Sequence, residues 1–153
     1  MATQEFSRSL PMMLYRALDA VMPRFRRIFN EFGLTEQQWR VLRVLWEHDD
    51  TAFGDLAEQT LIPAPSLVGV VDRLARQGLV ARRRSEADRR NVFVHATEKG
   101  RDLHRDVRPR VNAAYAELRS SINDNEWDQL ITGLERLAAL DSEPPAKRPA
   151  ANQ

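Results

Sequence analysis

Cysteine is absent from this 153-residue chain. That excludes disulfides, thiolate catalysis and thiol-based redox sensing. It also fits a cytoplasmic location, which we expect. No apolar run approaches the ~20 residues of a membrane helix. The acidic start, with Glu5, is unlike a signal peptide, so no membrane partner is expected. Glycine is scarce, and the six present fall mostly at the ends of elements and form no phosphate loop. The three histidines, His48, His95 and His104, are scattered and lack carboxylates at ligand spacing. No metal site, no cofactor and no catalytic constellation is expected, and the chain does not read as an enzyme.

Net charge is also missing, at +1 overall, but its distribution is uneven. Between Asp72 and Arg90 lie seven arginines and three acids, a local net of +4. A basic patch on a near-neutral chain is the electrostatic footprint of a nucleic-acid partner, or else a solvated hairpin. The residues just before it favour the first reading. Pro63 and Pro65 suit a first helical turn, where a missing N–H has no partner to lose. Leu67, Val70, Val71 and Leu74 then recur at helical spacing, and Gly78 stops the helix. Residues 79–82 and 91–95 alternate apolar and other residues and read as two half-buried strands around an arginine-rich tip. Helix, turn and basic hairpin are the parts of a winged helix-turn-helix that reads duplex DNA.

The remaining segments read as helices. Residues 1–8 look frayed. A long helix spans 9–33, with Ser9 as its cap, Pro11 in the first turn and a bend at Pro23. Thr35 and Gln38 form a capping box for a second helix that runs to about His48. Residues 51–59 form a short helix, the support of the helix-turn-helix. After the hairpin, Thr97 caps a long helix that bends at Pro109, and Asn123 or Asp124 caps the last one. Residues 142–153 are rich in proline and alanine, and we read them as a disordered tail. The fold class is mainly α with a small β-wing. Its domains are a DNA-binding winged helix at 34–96 flanked by dimerisation helices at 9–33 and 97–141. The terminal helices carry more apolar surface than a small winged-helix core can cover. A two-fold dimer would cover it; the alternative is a single-chain bundle.

In their order and spacing, Leu34-Thr35-Glu36-Gln37-Gln38-Trp39, Pro65-Ser66-Leu67, Val71-Asp72-Arg73-Leu74, Gly78-Leu79-Val80, Asp88-Arg89-Arg90 and Ala96-Thr97-Glu98-Lys99-Gly100 resemble the MarR family of bacterial transcription regulators. The resemblance covers roughly residues 10–140. Within the family the chain is most similar to repressors of aromatic-acid catabolism, such as homoprotocatechuate-degradation regulators. The resemblance implies a homodimeric repressor, a palindromic double-stranded DNA operator, and release by a small aromatic carboxylate effector. Two positions depart from the family pattern. Pro63 stands where a hydroxyl or Asp usually caps the recognition helix, and Val68 where Thr is frequent. Both remove a polar group, which shifts base readout toward thymine-methyl contacts.

The expected DNA-binding residues follow. Ala64, Ser66, Val68, Gly69 and Arg73 lie on the recognition helix, Ser66 serving either phosphate or the cap. Asp88 and Arg90 form the D-x-R element of the family's wing. We expect the carboxylate to fix the Arg90 guanidinium by paired hydrogen bonds for the minor groove, or simply to close the hairpin. Arg83, Arg84 and Arg89 are assigned to phosphates. For the effector, Tyr15, Arg16, Trp39, Arg40 and Arg43 are candidates to border a pocket between the first two helices; otherwise the aromatics are core and the arginines solvated. The rival function is a winged-helix protein–protein interaction module without a DNA role, which has less need for so many wing arginines.

Overall fold

The structure is a computed structural model, and it describes residues 5–140. The expectations for the start of the chain and for the tail at 142–153 fall wholly or partly outside that range. The described chain forms two compact units, one up to Ala114 and one from Tyr115 onward.

The first unit opens with a 3-10 turn at Phe6–Arg8, followed by α1, Leu10–Glu31. Ser9 occupies the cap position of α1, but its hydroxyl donates to the Phe6 carbonyl, 2.8 Å away, and caps no helical N–H. The helix runs through Pro23 as one element and buries only Phe25, Ile28 and Phe29. Helix α2, Glu36–Glu47, begins with the expected capping box. Gln38 N–H donates to Thr35 Oγ1 at 3.2 Å, and Thr35 N–H donates to Gln38 Oε1 at 2.9 Å.

Residues 51–59 do not form one helix. Thr51–Ala52 is a short strand, β1, and the helix α3 that follows is Phe53–Thr60. A two-residue strand is too short to show a period, so only its partner reveals it. Leu61, in the left-handed region at φ 55° and exposed, makes the turn into α4, Ala64–Arg76. Strands β2, Val80–Arg84, and β3, Val92–Ala96, complete a three-stranded antiparallel sheet in the order β1-β3-β2. The expected two-stranded ribbon therefore has a third strand, with Thr51 opposite Val94 and Ala52 opposite Phe93.

Leu42, Leu56, Leu67, Val71, Leu74 and Val94 are fully enclosed and join α2, α3, α4 and the sheet in one core. Helix α5, Glu98–Ser120, starts hard against that core. A Cβ at Gly100 would lie 2.2 Å from the Leu79 carbonyl oxygen, so only glycine lets the helix approach so closely. Thr97 Oγ1 accepts from Gly100 N–H at 3.1 Å and donates to the Gly78 carbonyl at 2.6 Å. Lys99 reaches the Gln77 carbonyl at 2.8 Å, and Gln38 Nε2 donates to Gln77 Oε1 at 3.2 Å. The C-terminal end of α4 is thereby held from two sides.

The second unit contains the end of α5 and helix α6, Asp124–Ala138. Asn123 and Glu126 form a capping box at the start of α6, and no residue of α6 is buried.

Candidate nucleic-acid interface

Helix α4 turns Leu67, Val70, Val71 and Leu74 inward, so Ala64, Ser66, Val68 and Arg73 face solvent. No side chain caps its first turn, because Pro63 holds the cap position and has no side-chain oxygen to offer. Ser66 supplies no cap, and its backbone N–H donates to the Pro63 carbonyl at 2.9 Å. The Arg73 guanidinium lies back along the helix, 3.6 Å from where a Cβ on Gly69 would stand. That distance is ordinary van der Waals contact, so a side chain at position 69 would fit beside the arginine.

Between α4 and the hairpin runs an open cleft of about 520 Å³, lined by Val68, Asp72, Arg82, Arg90 and Val92 among others. The hairpin loop beyond it is ordered by Asp88. Its Oδ1 accepts from the backbone N–H of Arg90 at 3.0 Å, and its own N–H donates to Ser85 Oγ at 3.3 Å. This is an Asx-type turn. The expected paired hydrogen bonds to the Arg90 guanidinium are not present. Nε stands 4.0 Å from the carboxylate, and the side chain is 95% exposed. A carboxylate two residues upstream reaches the main chain more readily than the far end of a long side chain. Arg84 and Arg89 have no acidic partner among the described residues.

Arg83 and Arg82 differ from Arg84 and Arg89. Arg83 Nε and Nη2 donate to Asp50 Oδ2 at 3.1 and 2.7 Å, and its guanidinium lies 4.9 Å above the Phe93 ring. His95 Nδ1 is 3.5 Å from the other oxygen of Asp50. Arg82 pairs with Asp72 of α4 at 2.6 Å. The sequence reading missed Asp50, His95 and the Asp72–Arg82 pair. Asp50 lies 33 residues before Arg83, and only the missed strand β1 brings it near.

The five candidate effector residues do not converge within one chain. Trp39 stacks on Phe29, with centroids 4.6 Å apart. Tyr15 precedes Phe29 by fourteen positions on one helix, which places it about 21 Å away along the axis. Tyr15, 66% exposed, and its neighbour Arg16 therefore stand well away from Trp39. Arg40 turns toward α3, where Nη1 donates to the Thr60 carbonyl at 3.0 Å. Arg43 does share a helix face with Trp39, four residues on. A column of rings continues from Trp39 to Trp46 and then His104, stacked at 4.4 Å. Trp46 Nε1 donates to the Gly100 carbonyl at 3.0 Å. Burial, then the charges of Arg43 and Arg108, hold the His104 pKa below its ordinary value, with Glu47 opposing them.

An exposed helix face beside a basic antiparallel hairpin, on a core of helices, defines a winged helix-turn-helix. Comparison with known proteins sharpens this. The MarR family model matches residues 32–91. The homoprotocatechuate degradative operon repressor of Escherichia coli is 36% identical over 132 residues, spanning 86% of this chain and 89% of the repressor. The structure of NadR in complex with 4-hydroxyphenylacetate superposes with a TM-score of 0.79 at 35% identity, over 92% of this chain and 100% of that one. The repressor CouR, bound to a 23-mer DNA duplex, superposes at 0.82 with 27% identity, over 90% and 98% of the two chains. The chain belongs to the MarR family and is a DNA-binding transcription regulator, not an enzyme.

Proposed function

We propose that the chain acts as a homodimeric repressor that binds a palindromic operator and is released by a small aromatic acid. The observation that carries the DNA contact is the pairing of an uncapped, solvent-facing α4 with a wing tip whose Arg84 and Arg89 have no acidic partner among the described residues. Ala64, Ser66, Val68, Gly69 and Arg73 enter the major groove, Val68 through thymine methyls. Arg90, presented by the Asp88 turn, enters the minor groove, while Arg84 and Arg89 meet phosphates.

The dimer is supported by apolar surface that one chain leaves bare. Leu10, Met13, Leu14 and Leu18 of α1 are exposed, as are Leu130, Ile131, Leu134 and Leu137 of α6. A monomer rarely shows so many. In the dimer these helices form the base (9–33 and 97–141), with 34–96 as the reading domain. The effector reading draws support from two similar proteins: the E. coli repressor by its name, and NadR by its bound 4-hydroxyphenylacetate. In this chain Trp39 and Arg43 offer a ring and a cation on one helix face. An effector must prefer the non-binding arrangement of the two wings, since equal affinity for both shifts nothing. The recognition helices must lie about one DNA turn apart, ~34 Å, so a small change in spacing is enough.

The test is fluorescence anisotropy on the intergenic DNA beside the chain's own gene, with the dimer checked by sedimentation. Hydroxybenzoates, phenylacetates and cinnamates are then titrated into the complex while tryptophan fluorescence follows binding. Specific, salt-dependent binding by a dimer, relieved by one of these acids, is expected. A monomer at full affinity overturns the dimer. A panel without effect on DNA release overturns the effector and leaves the DNA contact standing.

A further inference from the structure

We propose that Arg82 and Arg83 do not grip DNA but anchor the wing, with Asp72 and Asp50 as their seats. Both carboxylates then act as positioning residues for the DNA-binding reading above, on which this inference rests. Neighbouring strand residues point to opposite faces of a sheet. Arg82 accordingly meets Asp72 on the side of α4, and Arg83 meets Asp50 on the outer side. The outer pair is a strap. Asp50 precedes β1, Arg83 lies in β2, and β3 runs between them. Strands two apart are separated by about 9–10 Å, so the pair crosses β3 over Phe93 and beside His95. One carboxylate oxygen of Asp50 accepts both hydrogen bonds from Arg83, and His95 Nδ1 stands 3.5 Å from the other.

The wing needs such a device. None of residues 82–91 is buried, so no apolar packing sets the direction of the tip. Strand β1 grips β3 through only two register pairs. The hairpin is rooted in the core by Val80, Val94 and Ala96, but its tip has no such hold and would swing, with Arg84, Arg89 and Arg90 on it. Two ion pairs on opposite faces oppose that swing in both senses. Exposed pairs add little to stability, but a small bias is enough to fix an angle.

The sign of the effect separates this from simple electrostatics. Removing an acid from a DNA-binding surface should tighten binding if charge alone matters. If Asp50 seats the wing, its loss weakens binding. The experiment is anisotropy against the operator-containing DNA across a salt series, using the full chain, Asp50→Asn, Arg83→Ala, the Asp50→Asn/Arg83→Ala double variant and Arg89→Ala, with melting curves for each. Each single change at the strap should weaken binding about two- to fivefold, with the double variant no worse than either. Arg83→Ala should keep the salt slope of the unaltered protein, whereas Arg89→Ala lowers it by about one per wing. Melting temperatures should stay together. Tighter binding by Asp50→Asn, or a slope for Arg83→Ala that falls with that of Arg89→Ala, overturns the anchor. An unaltered chain that binds DNA, beside strap variants that bind identically, overturns the anchor alone. An unaltered chain that binds no DNA overturns the underlying reading as well.

Discussion

Helix α4 encloses Leu67, Val70, Val71 and Leu74 almost completely, whereas residues 82–91 of the wing bury nothing. The two regions flank the same cleft. One is set by close packing and by the polar contacts that hold Gln77 and Gly78. The other is set by an Asx-type turn and two exposed ion pairs. Packing is indifferent to charge but intolerant of lost volume. Polar holding is the reverse. The helix should therefore answer to changes of size through stability, and the wing to changes of charge through affinity.

The largest effect should come from Leu74→Ala. The side chain is fully enclosed, and such truncations cost about 2–5 kcal/mol. Urea unfolding measures it, and DNA binding should fail only as the fold fails. A cost below ~1 kcal/mol would break the comparison, because α4 would then be held by its polar contacts instead.

Asp88→Ala is the matching change on the wing. Stability should move by no more than ~0.5 kcal/mol, since the residue lies in an exposed loop. Operator affinity should nevertheless drop severalfold, although the patch becomes more basic, because the turn that presents Arg90 is lost. Anisotropy beside a melting curve checks both halves. Tighter binding would show that the wing works by charge alone.

The smallest effect lies outside both regions, at His104. Its folded pKa is lowered, chiefly by burial and then by Arg43 and Arg108. The unfolded chain takes up a proton near the ordinary value of 6.5, and the folded chain takes it up only at lower pH. The unfolded state then binds more protons in that window, so stability should fall as pH drops through 6.5. His104→Gln should flatten the dependence of melting temperature on pH. An unchanged slope would remove His104 from the account.

What could be read from the sequence were the parts that depend on near neighbours. Thr35 and Gln38 are three residues apart, and the inward face of α4 repeats every three or four. Gly78, at φ 73°, ends that helix as its position suggested. What could not be read depends on distant partners. Strand β1 becomes visible only when Val94 and Phe93 lie beside it. Trp46 finds the Gly100 carbonyl across 54 residues. The five effector candidates stand apart within one chain for a related reason. An apolar stripe states which face a residue occupies but not how far along the axis it sits, and within one chain Tyr15 lies well away from Trp39.

Arg82, Arg83 and Arg84 are identical in composition and differ only in phase. The strand sends the first to Asp72 and the second to Asp50, and leaves the third without an acid among the described residues. The run behaves like a reading frame. Deleting Ala81, just upstream, would keep every arginine and the whole charge of the patch. It would nonetheless turn each guanidinium to the opposite face and pass the seats on by one, Arg83 moving into the place beside Asp72 and Arg84 into the place beside Asp50, so that Arg84 would no longer be left over for DNA.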